Sequence, residues 1–183
     1  MVRRSSDAKV HCTLTRLAWM CRSASARERV RALRLIRDQA EGRRCEGYFD
    51  LAKRLLRDPV SDIRWQAFIV LGDYLPTRHR EIWRIILRYG ISPNRDVQTA
   101  VGTILLEHLL EQHFDTYFPL LARAMRAEPN LARTAAVCWR FGVPRRRWQK
   151  LERLVQGAMV SSGSSAGVLG SSGGSSGDTI FNS

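Results

Sequence analysis

Apolar residues recur along this chain in a helical pattern that repeats every 34 residues. Within each repeat they are spaced i, i+4, i+7 and i+8, which places them on one face of an α-helix. The recurring positions are Ile63, Ala67, Val70 and Leu71, then Val97, Val101, Ile104 and Leu105, then Leu131, Ala135, Cys138 and Trp139. A fixed period of this length is typical of repeat proteins, in which each unit buries its apolar face only against its neighbours.

A second apolar stripe follows the first in each unit. Its positions are Phe49, Ala52 and Leu56, then Trp83, Ile86 and Leu87, then Tyr117, Leu120 and Leu121, then Leu151, Leu154 and Val155. Each unit is therefore predicted to contain two helices. Phe49, Trp83 and Tyr117 occupy the same position in successive units, and we expect them to pack in the core between layers.

These stripes predict an all-α helical solenoid with an N-terminal helix that covers one end of the stack. We predict three regions: an N-terminal arm and capping helix over 1–24, the repeats over 25–158, and a tail over 159–183. The tail is rich in glycine and serine, a composition that behaves as a flexible coil.

Several classes of protein are disfavoured by composition. The chain has no run of about 18 apolar residues, so no membrane span is expected. The basic N-terminus has no uninterrupted apolar segment, so we predict no secretory signal and a cytoplasmic location. The four cysteines lack CxxC spacing, which favours buried free thiols; a zinc site formed by His11, Cys12, Cys21 and Cys45 is the alternative. We predict neither a metal nor a cofactor.

The segment Asp58 to Gly72, DPVSDIRWQAFIVLG, resembles the first helix of a HEAT repeat. The resemblance consists of a proline-led turn, an aspartate, a β-branched residue and an arginine, and then Ala and a Leu-Gly pair at helical spacing. These residues are Pro59, Asp62, Ile63, Arg64, Ala67, Leu71 and Gly72. The resemblance implies a right-handed α-solenoid of about four two-helix HEAT-like, ARM-type repeats. A tetratricopeptide array has the same period, and Trp83 and Ile86 fit it, but Leu87 stands where that repeat has glycine.

The chain carries 30 basic and 17 acidic residues, a formal net charge of +13. Basic side chains concentrate on the predicted second helices, where Arg80, Arg84 and Arg88 lie at i, i+4 and i+8. The other candidates are Lys53, Arg54, Arg57, Arg123, Arg126, Arg145, Arg146, Arg147 and Lys150. In arrays of this type the second helices line the concave side, so the resemblance implies a positive inner surface that attracts polyanions. Alternatively, the individual arginines form an ordinary solvated face.

Two classes of function remain. The first is a non-catalytic scaffold whose basic concave surface binds an acidic partner protein, which we favour because helical solenoids present extended surfaces to proteins. The second is a nucleic-acid binder that holds the phosphate backbone with the same arginines, with Trp65 and Trp148 as candidates for stacking on bases. Neither a membrane partner nor a small-molecule substrate is indicated.

Catalysis has little support in the sequence. The chain contains no serine-hydrolase, zinc-protease or phosphate-loop motif, and its four histidines are scattered. Some HEAT-like solenoids are DNA glycosylases that remove alkylated bases, which the resemblance leaves as a less favoured variant with Asp62 or Asp73 as the carboxylate. We predict no catalytic residue and leave enzymatic activity open.

Overall fold

The computed structural model describes residues 13–40, 46–140 and 142–164. Its helices are α1 (13–20), α2 (Ala26–Ala40), α3 (Glu46–Leu55), α4 (Ser61–Gly72), α5 (Leu75–Tyr89), α6 (Arg95–Ala100), α7 (Glu107–Ala127), α8 (Asn130–Ala136) and α9 (Arg145–Ser164), with a π-helical stretch, Val101–Leu106, between α6 and α7. These ranges contain no strand, and the predicted all-α class is confirmed. None of the described helices has both the length and the apolar character that crossing a membrane requires.

Local chemistry explains where two of the helices begin. Asn94 precedes α6, and its side-chain oxygen accepts hydrogen bonds from the backbone N–H groups of Asp96 and Val97, at 2.9 and 3.3 Å. An N-cap residue stabilises a helix start in this way. Pro76 lies in the first turn of α5, where its missing N–H group costs no helical hydrogen bond.

Two residues with non-helical backbone angles interrupt the longer helices. Arg78 (φ −127°, ψ 30°) lies within α5, and His113 (φ −137°, ψ 37°) lies within α7. Helical structure continues on both sides of His113 without an intervening turn. The third unit, predicted as two helices over Arg95 to Glu111 and His113 to Arg126, therefore has a kink at His113 between its two helices, at the predicted break and without a connecting loop.

The helices pack against one another in the order of the chain. Helix α2 packs on α4, α4 packs on α6 and the π-helical stretch, and both of these pack on α8. On the other side α5 packs on α7, and α7 packs on α9, while α3 packs on α2 and α4. Buried apolar side chains from α1 to α9 form one core cluster.

Most of the predicted core positions are buried, but Trp83, Leu87, Ile104 and Leu154 are half-buried, and Leu120 and Trp139 are exposed. Phe49 and Tyr117 are 0% and 3% exposed, and Trp83 is half-buried with its ring centroid 5.4 Å from that of Tyr117. Helix α8 ends before Trp139, so this residue leaves the helical stripe and is 70% exposed. Leu120 is 42% exposed on α7. The prediction that these two residues lie in the core was wrong.

The predicted terminal regions fall partly outside the described residues. Leu17 on α1 is buried in the core, and α9 continues into the predicted tail as far as Ser164. Residues 1–12 of the predicted arm and 165–183 of the predicted tail lie outside the described ranges.

Cys21 and Cys138 are buried free thiols, as predicted. Burial raises the pKa of Cys21 to about 11, although the charges of Arg54 and Arg22 oppose this shift. His11, Cys12 and Cys45, the other members of the alternative zinc site, lie outside the described residues. Within the described ranges, no group of three His, Cys, Asp or Glu side chains is placed to hold a metal ion.

Candidate anion-binding groove

A groove of about 630 Å³ lies between α3 and α5. Basic side chains line it from α3, from the turn after α3, and from α5. Two carboxylates, one isoleucine and one tyrosine complete the lining. The lining residues, called the basic groove below, are Asp50, Lys53, Arg54, Arg57, Glu81, Arg84, Ile85, Arg88 and Tyr89. With five basic and two acidic side chains, the basic groove has a formal net charge of +3.

The spacing of the lining residues explains why they share one surface. Along each side of the groove, the positions are i, i+3, i+4 and i+7, so the residues within α3 and α5 fall on one helical face and Arg57 follows in the turn after α3. They are Asp50, Lys53, Arg54 and Arg57 on one side, and Glu81, Arg84, Ile85 and Arg88 on the other. Ile85 is 4% exposed, so it fixes this face of α5 against the core while the neighbouring arginines extend into the groove.

Within the described part of the chain, the cations of the basic groove have no ion-pair or hydrogen-bond partner, and the Arg88 guanidinium lies 5.8 Å from the ring centroid of Tyr89. No hydrogen bond or ion pair joins any of its five basic side chains to another described residue, although two carboxylates line the same groove. The ion pairs in the described part of the chain are formed by arginines outside the groove. They are Arg29–Asp58, Arg31–Glu28, Arg37–Asp73, Arg78–Glu46, Arg78–Glu81 and Arg147–Asp115. The ion-paired carboxylates outside the groove therefore do not neutralise the net positive charge of the basic groove.

One end of the groove is acidic and is organised by Arg78. The Arg78 guanidinium forms ion pairs with Glu46 at 3.1 Å and with Glu81 at 3.0 Å, and it lies 4.8 Å from the ring centroid of Phe49. Burial opposes its charge, but the hydrogen bond to Glu46 and the charges of Glu81, Glu46 and Asp50 together raise the pKa of Arg78. These contacts place the N-terminal halves of α3 and α5 at the same end of the groove.

A second cavity of about 460 Å³ adjoins the basic groove along α5. It is lined by Thr77, Arg78, His79, Arg80, Glu81 and Arg84, and it shares Glu81 and Arg84 with the groove. Arg80, Arg84 and Arg88 are all exposed, as their helical spacing predicts. This row of arginines extends along α5 from the basic groove into the second cavity.

The remaining predicted anion-binding residues lie away from this groove. Arg123 and Arg126 are exposed on α7, and Arg145, Arg146 and Lys150 are exposed on α9. Arg147 is engaged within the chain, because it pairs with Asp115 and lies 5.7 Å from the ring centroid of Phe114. Of the predicted set, the structure brings Lys53, Arg54, Arg57, Arg84 and Arg88 together, with Arg80 beside them.

The two candidate stacking residues are absent from the lining of the basic groove. Trp65 is half-buried and packs against the core. Trp148 is also half-buried, and its indole Nε1 donates a hydrogen bond to Glu152 Oε1 at 2.7 Å. Neither tryptophan therefore lies beside the cations of the basic groove.

The carboxylates considered for a glycosylase are not part of the groove either. Asp62 is exposed at the start of α4, and Asp73 forms an ion pair with Arg37 at 3.3 Å. The basic groove is lined by different carboxylates, Asp50 and Glu81. Sequence reasoning missed these two residues, whose signal is that each lies three positions before a basic residue of the groove.

Two histidines that looked scattered in the sequence are in contact. His79 and His113 lie 34 residues apart, and their ring centroids are 4.7 Å apart. His79 Nδ1 is 2.6 Å from the hydroxyl oxygen of Tyr117. Burial and then the charge of His79 lower the pKa of His113, and burial raises the pKa of Tyr117 although Arg80 opposes it. This cluster joins α5 to α7 beside the second cavity.

Comparisons of this chain with protein-family models, with curated proteins and with solved structures found no match. The basis for a functional proposal is therefore the geometry and charge of the basic groove.

Proposed function

We propose that this protein is a non-catalytic scaffold that binds an acidic segment of a partner protein in its basic groove. The observation that carries the proposal is the accumulation in one concave site of five cations that form no ion pair with any described residue, while the described carboxylates that form ion pairs do so with other arginines. An anionic ligand would gain charge-assisted hydrogen bonds there without first breaking an internal ion pair.

We further propose that the scaffold is a right-handed α-solenoid of HEAT-like repeats. Helices one unit apart pack in sequence, α4 on α6 and α5 on α7, which is consistent with stacked two-helix units. Residues at equivalent positions of neighbouring units also touch, as His79 does with His113 and Trp83 with Tyr117. Such stacking presents the second helices as one extended surface for binding.

Three features of the groove favour a protein segment over a nucleic acid. The carboxylates of Asp50 and Glu81 would repel a uniformly charged phosphate backbone at one end. Tyr89, which is half-buried, provides apolar surface for the side chains of a peptide. Trp65 and Trp148, the candidates for stacking on bases, do not line the groove.

Nucleic acid is the second candidate, and one observation favours it. Arg123, Arg126, Arg145, Arg146 and Lys150 are exposed outside the groove, and the chain has a net charge of +13. A phosphate backbone that crosses α7 and α9 would contact these cations without a defined groove.

Fluorescence anisotropy at several salt concentrations separates the two candidates. A labelled Glu-rich peptide and labelled random-sequence DNA and RNA are titrated with the protein. We expect the peptide to bind at physiological salt and the random oligonucleotides not to bind. Micromolar affinity for the oligonucleotides, with a steep decrease of log affinity against log salt and no peptide binding, would contradict the scaffold and favour the nucleic-acid binder.

A further inference from the structure

The basic groove has opposite charges at its two ends. Glu46, Asp50 and Glu81 gather around Arg78 at the end where α3 and α5 begin, so four charged groups leave a net charge of −2 there. The five cations follow along the groove, from Lys53 and Arg84, three positions after Asp50 and Glu81, through Arg54, to Arg57 and Arg88, seven positions after them. This separation is a property of both helices, because each has its acidic residue first and its basic residues three to seven positions later.

Asp50 is the carboxylate best placed to meet a ligand at the acidic end. Glu81 is already paired with Arg78, and Glu46 forms the other ion pair of that guanidinium. Asp50 is exposed in the groove and forms no hydrogen bond or ion pair with any described residue. The Asp50 carboxylate would repel a uniformly anionic ligand that fills the groove. It would attract a positively charged residue of a ligand.

Helix geometry gives the distance between the two kinds of charge. Seven positions separate Glu81 from Arg88 within α5, and seven separate Asp50 from Arg57, which lies in the turn after α3 ends at Leu55. At about 1.5 Å per residue, the separation along α5 is about 10 Å. An extended peptide rises about 3.3 Å per residue, so about three ligand residues span this distance.

Building on the proposed function, we propose that the basic groove selects a dipolar peptide segment, with a basic residue that faces Asp50 about three positions from a cluster of acidic residues that faces Arg54, Arg57 and Arg88. The acidic cluster supplies most of the attraction. The basic residue discriminates this segment from a uniformly acidic one.

Anisotropy titrations with two labelled peptides test this proposal. The first has a pair of Glu residues and one Lys three positions away, and the second has Gln in place of that Lys. We expect the unmodified protein to bind the Lys peptide about two- to fivefold more tightly, the range that one exposed ion pair provides. The variant Asp50→Asn should bind both peptides equally, and the control variant Asp62→Asn, which removes an exposed carboxylate of α4, should keep the preference.

The outcomes separate this inference from the proposed function on which it rests. Equal binding of the two peptides by the unmodified protein, or tighter binding of the Gln peptide, would overturn the dipolar selection and leave the scaffold in place. Loss of the preference in Asp62→Asn as well would also overturn it, because the selection would not come from Asp50. If neither peptide bound, the proposed function itself would fail.

Discussion

Arg29 and Asp58 form a buried, two-contact ion pair between α2 and the turn before α4. Arg29 Nε lies 2.6 Å from Asp58 Oδ2, and Arg29 Nη2 lies 3.1 Å from Asp58 Oδ1. The guanidinium also donates to the backbone carbonyls of Ser23 and Ala24, and Asp58 Oδ1 accepts from the backbone N–H of Val60. The pair therefore fixes two connecting segments of the first two units at once.

Removing one member of this pair should be among the most destabilising single changes in the chain. Asp58→Ala leaves the Arg29 guanidinium, 11% exposed, without its counter-ion, and we expect a loss of about 3–5 kcal/mol in the free energy of unfolding by urea. The control is Glu28→Gln, because Glu28 meets Arg31 at 3.9 Å on the surface and should contribute less than about 1 kcal/mol. Losses of similar size in the two variants would contradict this account.

Gly102 in the π-helical stretch should not tolerate a side chain. A Cβ atom there would lie 2.5 Å from the Thr134 carbonyl oxygen and would also collide with the Val137 side chain. Gly102→Ala should therefore cost about 1–3 kcal/mol through overpacking. Gly157→Ala is the matched control on α9, where a Cβ would meet nothing within 4 Å, and it should stabilise the protein by about 0.5–1 kcal/mol. Urea unfolding of both variants measures the difference, and a neutral Gly102→Ala would show that α8 does not pack closely on this stretch.

The contact between Trp83 and Tyr117 should appear as a coupling free energy. Their ring centroids are 5.4 Å apart, although the residues lie 34 positions apart in sequence. A double-mutant cycle with Trp83→Leu and Tyr117→Leu should give a coupling of about 0.5–1.5 kcal/mol. The same cycle with Trp83→Leu and Trp139→Leu should be additive within about 0.5 kcal/mol, because Trp139 is 70% exposed. Additivity in both cycles would argue against packing of these two rings across the units.

His113 should make stability depend on pH below neutrality. Its folded-state pKa lies below its ordinary value of 6.5, so the folded protein binds fewer protons at this site than the unfolded chain does. The stability contributed by His113 is present above about pH 6.5 and is lost as pH falls toward the lowered folded value. Melting temperatures of the unmodified protein should therefore decrease more between pH 7 and pH 5 than those of His113→Gln. An equal decrease in the two proteins would mean that His113 does not titrate differently on unfolding.

The fold class followed from the sequence because the helical spacing of apolar residues can be read directly from the sequence. Helical spacing predicted the burial of Ile63, Ala67, Val70 and Leu71, and all four are at most 1% exposed. The failure at Trp139 occurred at a helix boundary, whereas Leu120 lies within α7. Trp139 fits the stripe of α8 only if that helix continues beyond Ala136, and its length is decided by tertiary contacts such as the hydrogen bond from Trp139 N to Glu107.

The candidate groove was only partly predictable for a similar reason. The spacing of Arg80, Arg84 and Arg88 predicted their shared exposed face, but it could not show which helix lies opposite. The pairing of Arg147 with Asp115 joins residues 32 positions apart and depends on how α9 docks on α7. The contact between His79 and His113 was available from the 34-residue period, since these residues occupy equivalent positions.

Binding of a labelled Glu-rich peptide to two charge-matched double variants tests the basic groove most directly. Arg54→Glu/Arg88→Glu reverses two charges within the groove, and Arg123→Glu/Arg126→Glu reverses two exposed charges on α7, so both variants have the same net charge. We expect the groove variant to lose affinity at least about tenfold, or about 1.4 kcal/mol, and the α7 variant to stay within about twofold. Equal losses in the two variants would show that binding follows net charge alone, which would contradict a defined site between α3 and α5.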